Sequence, residues 1–419
     1  MSIAENVETE PLSQTHAVSL DIDCLRNETP GVEDHVHLDN AGASLMPWPV
    51  VQAQIDHIGL EARLGGYVAE AEREPEKEKL YRRLAGVFGG AKENYAFAAS
   101  AVDAWNKAFY SVPFSSGDNL VTAFNEYCSN YVAYLHMAER HDIEIRVAPA
   151  GVDGRLDAGS VAALVDDRTR LVSLSHVPSS SGQINPVSEV GRMLKGSDVL
   201  YLVDACQSVG QLAVHVDEIG CDMMTATGRK FLRGPRGTGF LYAGPRALAK
   251  LKPAMLTNQA ASWTTAHQYD LRTDARVFEA WERGIAGQLG LAAALGYLRD
   301  LGVERATART QMLAQRLRDG LAAVKGVRPT CPDGASAAII TFQLDGLRPE
   351  DIKRSMAGRG FAVQVSSVFH TRLDMEARGI ETTVRVSPHY YNSDGDIDAF
   401  LTVVEDMTYG HGMPALRTS

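Results

Sequence analysis

From about residue 119 onward, short apolar or β-branched runs alternate with stretches whose apolar residues recur every three to four positions. The runs at 120–123, 143–148, 171–174, 200–203, 223–226 and 239–242 read as strands, and the stretches at 130–140, 161–164 and 186–194 as helices between them. Repeated strand–helix–strand units need crossover connections, which predicts an α/β large domain whose mostly parallel sheet is covered on both faces. After about residue 275 the pattern changes. Long helical periods at 279–301 and 306–324 are followed by strands at 337–342, 362–365 and 383–387 and a last helix from 397 to about 407, a smaller α+β C-terminal domain. The polar start, with Pro11, Pro30 and Gly31, reads as an arm. The expected division is therefore an N-terminal arm at 1–36, a large domain at 37–275 and a small domain at 276–419.

Composition supports this picture and narrows the function. At 419 residues the chain exceeds what one core normally organises, and 45% hydrophobic with 22% charged residues is ordinary globular composition. The longest apolar runs, such as 199–203 and 292–295, are too short to cross a bilayer, and the N-terminus lacks a secretory pattern, so a cytoplasmic protein without membrane association is expected. A net charge of −11 repels nucleic acid and leaves a small molecule as the expected ligand. The five cysteines (Cys24, Cys128, Cys206, Cys221, Cys331) form no CxxC pair, which predicts reduced thiols and no metal site.

The richest chemistry lies between residues 198 and 242. An apolar strand delivers Asp204 at its carboxyl end, where ligands sit in open α/β sheets; a carboxylate there can pair with a protonated pyridine nitrogen. Gln207 is three residues on. A second strand is followed by Thr227-Gly228-Arg229-Lys230 and a basic, glycine-rich turn at 233–239. Neighbouring cations depress a lysine pKa and expose the free amine for bonding to an aldehyde, and Thr227 and Arg229 can hold a phosphate beside it. Taken singly, Asp204 is equally a helix cap, and Lys230 a solvated surface charge. The order strand, DxxQ, strand, TGRK, GPRG is far more specific than its parts.

These residues resemble the signature of the class V aminotransferase and cysteine desulfurase superfamily, fold-type I enzymes dependent on pyridoxal 5′-phosphate. The resemblance runs from HLDNAGASLMP (37–47) to VRVSPHYYNSDGDID (384–398). It implies Lys230 as the covalent anchor of the cofactor, Asp204 on the pyridine nitrogen, Gln207 on the ring hydroxyl, and Thr227 and Arg229 near the phosphate; relatives have a histidine where Arg229 stands. The stretch AASAVDAWN (98–106) resembles the loop that opens a phosphate-binding helix. The family's threonines are missing there, which leaves Ser100 and the backbone of Ala101 and Val102, and Ser100 is equally a plain N-cap. Tyr127, in NEYCSNYVAY, stands where relatives stack a histidine on the ring; a phenol with pKa of about 10 stacks as well but shuttles protons less readily. Arg385 resembles the arginine that grips a substrate α-carboxylate, so an amino acid is the implied substrate, and Asn40 resembles an element lining the same pocket. Relatives are homodimers, although residues 281–284 depart from the segment that sends a threonine to the partner's phosphate.

Cysteine desulfurases of this superfamily carry a nucleophilic cysteine on a small-domain loop. The matching stretch here, 363–380, has none. GRKFLRGPRG, Tyr127, RLDMEARG and VRVSPHYYN instead resemble the branch with hercynylcysteine sulfoxide lyases. The resemblance therefore implies a carbon–sulfur β-lyase acting on an S-substituted cysteine or its sulfoxide. Transamination, epimerisation, a desulfurase-like activity without the loop cysteine, and a non-catalytic cofactor-binding module remain as alternatives.

Overall fold

The computed structural model describes residues 20–409. Its central sheet has seven strands in the order Tyr95–Ala98, Gly239–Ala243, Met223–Thr227, Leu200–Asp204, Thr169–Ser175, Asn119–Ala123 and Glu144–Ala148. The last five pair in parallel, and Gly239–Ala243 runs antiparallel to both its neighbours. Successive side chains of a strand point to opposite faces. Leu202 and Met223 accordingly pack in one buried cluster and Val203 and Met224 in another, on the two sides of the sheet. This double burial is why the strands read as continuous apolar runs.

A second, four-stranded antiparallel sheet has the order Val327–Pro329, Ile340–Leu344, Thr382–Val386 and Gln364–Ser367. Helices Val303–Ala323, Pro349–Ala357 and Asp394–Thr408 contribute Leu313, Leu317, Ile352 and Phe400 to the core that holds Phe342 and Val384. The first described strand joins this unit. Val36–His37 pairs in parallel with Phe361–Ala362, and Leu38 enters the same core. Helix Ile285–Leu301, by contrast, buries Leu291, Leu295 and Leu298 with Phe97 and Val203, so the change of pattern near residue 275 is not a change of core.

Several stretches differ from the sequence reading. The expected arm is described from residue 20, where Asp21 caps helix Ile22–Asn27 through the Cys24 N–H at 3.0 Å and Leu25 and Thr29 are buried; residues 1–19 lie outside the described part. Helices Trp48–Leu64, Gly66–Glu72 and Glu74–Phe88 and the edge strand Tyr95–Ala98 had no counterpart. In Glu74–Phe88 the buried apolar stripe is only Leu80, Tyr81, Leu84 and Phe88 among many charges, a weak helical signal. Finally, the helix expected from 279 begins at Ile285. Glu279 is instead held by the Phe97 N–H at 2.8 Å and the Tyr81 hydroxyl at 2.7 Å.

Candidate active site

Asp204 ends strand Leu200–Asp204 and Thr227 ends its parallel neighbour Met223–Thr227, so both arrive at the carboxyl edge of the sheet. After Thr227 the chain turns back sharply, with the Gly228 N–H donating to the Thr238 carbonyl and the Gly234 N–H to the Gly228 carbonyl. Lys230 sits on this turn. One cleft is lined by Ser100, Ala101, Val102, Tyr127, Asp204, Gln207, Thr227, Arg229 and Lys230, nine residues that the sequence scatters over 131 positions (100 to 230). Among the described residues no group of three or more His, Cys, Asp or Glu is placed to hold a metal ion.

Arg385 and Asn40 stand apart from that lining. Arg385, in strand Thr382–Val386, is 6% exposed and donates to the carbonyl of Ser179, itself a lining residue, at 3.3 Å. Its charge reaches Lys230, where it helps to lower the ammonium pKa. Asn40 differs from expectation. Its amide donates to the Ser387 carbonyl at 2.7 Å and accepts from the Tyr391 hydroxyl at 2.6 Å, so both ends are spent on joining the first strand to the last. Asn40 is a fully buried joint; the backbone beside it bears on the cleft, because Gln207 donates to the Ala41 carbonyl at 3.1 Å and Arg229 to the Gly42 carbonyl.

The electrostatics suit covalent anchoring. Lys230 is open to the cleft yet deep in the protein, and burial brings its pKa down to about 8, with Arg229 acting in the same direction and Cys206 and Asp204 against it. A neutral amine is thus within reach near neutral pH. The Asp204 carboxylate is held by the Cys206 N–H at 2.9 Å and by the Asn130 amide at 3.0 Å. Burial, reinforced by Cys128 and Asp204, pushes the Tyr127 phenol up to about 12, so its hydroxyl keeps its proton.

The cleft fits a phosphate-bearing pyridine aldehyde. Helix Ala101–Phe109 opens into it, and because the Ser100 hydroxyl caps the Asp103 N–H at 3.0 Å, the N–H groups of Ala101 and Val102 remain for an anion. Ser100 is therefore both an N-cap and a wall of the cleft. Gly239 permits this approach, since a Cβ there would lie 2.6 Å from the Ser100 carbonyl carbon. The amide oxygen of Gln207 and the hydroxyl of Ser179 are buried without partners among the described residues, which fits a polar ligand there.

Sequence reasoning missed Trp105, Asn130, Ser175, Val177, Ser179 and Cys206, which also line the cleft. Trp105 looks like core filler and does stack on Phe109 with ring centroids 4.7 Å apart, but its buried Nε1 has no partner among the described residues. Asn130 lies three residues after Tyr127, and only its position over Asp204 reveals it.

Residues 36–400 match the family described as aminotransferase class-V. A probable cysteine desulfurase of Methanothermobacter thermautotrophicus is 29% identical over 91% of this chain and 97% of its own. Another, from Halobacterium salinarum, is 28% identical over 96% and 98%. Among solved structures, the apo cysteine desulfurase of Thermococcus onnurineus superposes with a TM-score of 0.85 at 26% identity, covering 93% of this chain and 98% of that one. A cystine C–S lyase in complex with cysteine persulfide shares the fold, with a TM-score of 0.82 at 20% identity over 90% and 99%.

Proposed function

Because the chain belongs to the class-V aminotransferase family and is on that ground a pyridoxal-phosphate-dependent enzyme, we propose that it is a carbon–sulfur β-lyase acting on an S-substituted cysteine or its sulfoxide. The observation that carries this reading is the loop after strand Gln364–Ser367. Its residues are Val368, Phe369, His370 and Thr371, and the Cys128 N–H donates to the His370 carbonyl at 3.0 Å, holding the loop beside Tyr127. A desulfurase needs a thiolate there. Cys206, which does line the cleft, has its pKa pushed well above the usual value, chiefly by burial and further by Asp204, and a neutral thiol is a poor nucleophile. The motif resemblance to hercynylcysteine sulfoxide lyases supports a sulfoxide as the favoured form of substrate.

In this reading Lys230 is the covalent anchor, the N–H groups of Ala101 and Val102 with Ser100, Thr227 and Arg229 hold the phosphate, Tyr127 stacks on the ring, and Gln207 meets the ring hydroxyl. The cofactor supplies an aldehyde carbon and an electron-accepting ring. Asp204 keeps the ring nitrogen protonated. Arg385 would fix the substrate carboxylate, and the Lys230 amine would take the Cα proton. With the bound cofactor accepting the Cα electron pair, the overall change would be substrate plus water giving the protonated sulfur product, pyruvate and ammonia. Exposed Trp263, Tyr269 and Trp281 suit a homodimer.

A second reading, a cysteine desulfurase, is favoured by the names of the relatives. Purified holoenzyme supplied with free cysteine, S-substituted cysteines and their sulfoxides separates the two. Pyruvate and ammonia from the substituted substrates support the lyase; alanine with sulfane sulfur from cysteine establishes the desulfurase instead. A keto acid formed with conversion of the cofactor to its amine, or racemised substrate, would mark an aminotransferase or an epimerase.

A further inference from the structure

Glu126, immediately before Tyr127, is 4% exposed and has no part in the roles assigned above. Its Oε1 accepts from the Tyr127 backbone N–H at 2.7 Å, the Ser175 hydroxyl at 2.5 Å and the Asn130 amide at 3.1 Å. Its Oε2 accepts from the hydroxyls of Thr122 at 3.2 Å and Tyr134 at 3.3 Å. All five donors are neutral. Burial, with the charge of Asp204, pushes the carboxyl pKa up, while the bonds from Ser175, Tyr127 and Asn130 favour the ionised form.

Asn130 connects this carboxylate to the cleft. Its Nδ2 carries two hydrogens, one directed to Glu126 and the other to Oδ2 of Asp204 at 3.0 Å. Only the NH2 end of the amide can donate to two carboxylates, so its orientation is settled by chemistry. Asn130 thereby fixes the plane of the Asp204 carboxylate, whose other oxygen takes the Cys206 N–H. A charge bridged this closely to Asp204 also acts on any proton that Asp204 shares.

We propose that Glu126 is a positioning residue for the cofactor ring: it anchors the backbone of Tyr127, orients Asp204 through Asn130, and by its negative charge strengthens the hold on the ring-nitrogen proton. The inference rests on the cofactor placement proposed above and not on the lyase reaction.

The test is the ring-nitrogen signal of holoenzyme carrying 15N-labelled pyridoxal phosphate, followed across pH by NMR. Glu126→Gln and Asn130→Ala are each expected to lower the proton affinity of the ring nitrogen about tenfold, a shift of about one pH unit in the midpoint. Glu126→Asp, which keeps the charge, is expected to stay near wild type. A midpoint unchanged in both Gln and Ala variants overturns the proposal whatever happens to turnover. If Glu126→Gln does not fold, Asn130→Ala decides by the same midpoint. Wild-type protein with no borohydride-trapped adduct on Lys230 overturns the cofactor placement itself, which is a distinguishable failure.

Discussion

Arg385 donates through Nη2 to Oδ1 of Asp39 at 3.1 Å, while its buried Nε finds no partner among the described residues. Asp39 and the Ser179 carbonyl hold the guanidinium in one orientation and leave that donor for a ligand. Lysine keeps the charge but loses the fork. Arg385→Lys is expected to raise KM for the amino-acid substrate by roughly tenfold to a hundredfold, the equivalent of one charge-assisted hydrogen bond of about 1.5–3 kcal/mol, with a smaller effect on kcat. An unchanged KM would remove Arg385 from substrate binding.

Tyr127 separates stacking from proton transfer. With its pKa pushed up to about 12, the phenol stays protonated through the working range. Tyr127→Phe is expected to keep cofactor affinity, whereas Tyr127→Ala weakens it roughly three- to tenfold, in line with about 0.5–1.5 kcal/mol for an aromatic pair. Equilibrium binding of pyridoxal phosphate to apo protein measures both. Equal affinity in the Ala variant would mean that the ring does not stack.

Gly210 packs behind the turn that carries Lys230. Its φ is +89°, and a Cβ there would lie 2.2 Å from the carbonyl oxygen of Phe231, the residue after Lys230. Gly210→Ala is expected to cost at least about 2 kcal/mol in denaturant unfolding and to slow cofactor incorporation. Gly117→Ala, at φ +84° with nothing within 4 Å of its Cβ, carries only the backbone cost. Equal losses in the two variants would show that the contact with Phe231 is unimportant.

His176 gives stability a defined pH dependence. Burial lowers its pKa from 6.5 to about 4, and its Nδ1 has no partner among the described residues. The folded pKa lies below the unfolded one, so the contribution of the neutral ring is complete above pH 6.5 and is lost as pH falls through about 4. Linkage puts the full loss at roughly 3 kcal/mol. His176→Leu is expected to flatten the decline of unfolding free energy over that window, with His389, likewise held well below its ordinary value by burial, still contributing. An identical slope in wild type and variant would exclude His176 as a source.

The strands ending at Asp204 and Thr227 were legible because both faces of the sheet are buried and the apolar runs are continuous. Helix Glu74–Phe88 was hard to see because its core face is narrow. Asn40 was misplaced for a different reason: its partners Ser387 and Tyr391 lie 347 and 351 residues away, and neighbours in sequence say nothing about them. Glu126 and Asn130 were given no role because the bond that ties them to the cleft runs from Asn130 to Asp204, 74 residues away in sequence.

Local order along the chain by itself determined the α/β class and, through the resemblance carried by the DxxQ and TGRK motifs, the cofactor, because strand burial and turn chemistry are properties of contiguous residues. Only the tertiary structure decided that Asn130 bridges Glu126 to Asp204, that Arg385 lies behind Ser179, and that Asn40 is spent on the joint between the first and last strands. Those relations depend on the three-dimensional distances between side chains from separate elements, and hydrogen bonds extend over about 3 Å whatever the separation in sequence.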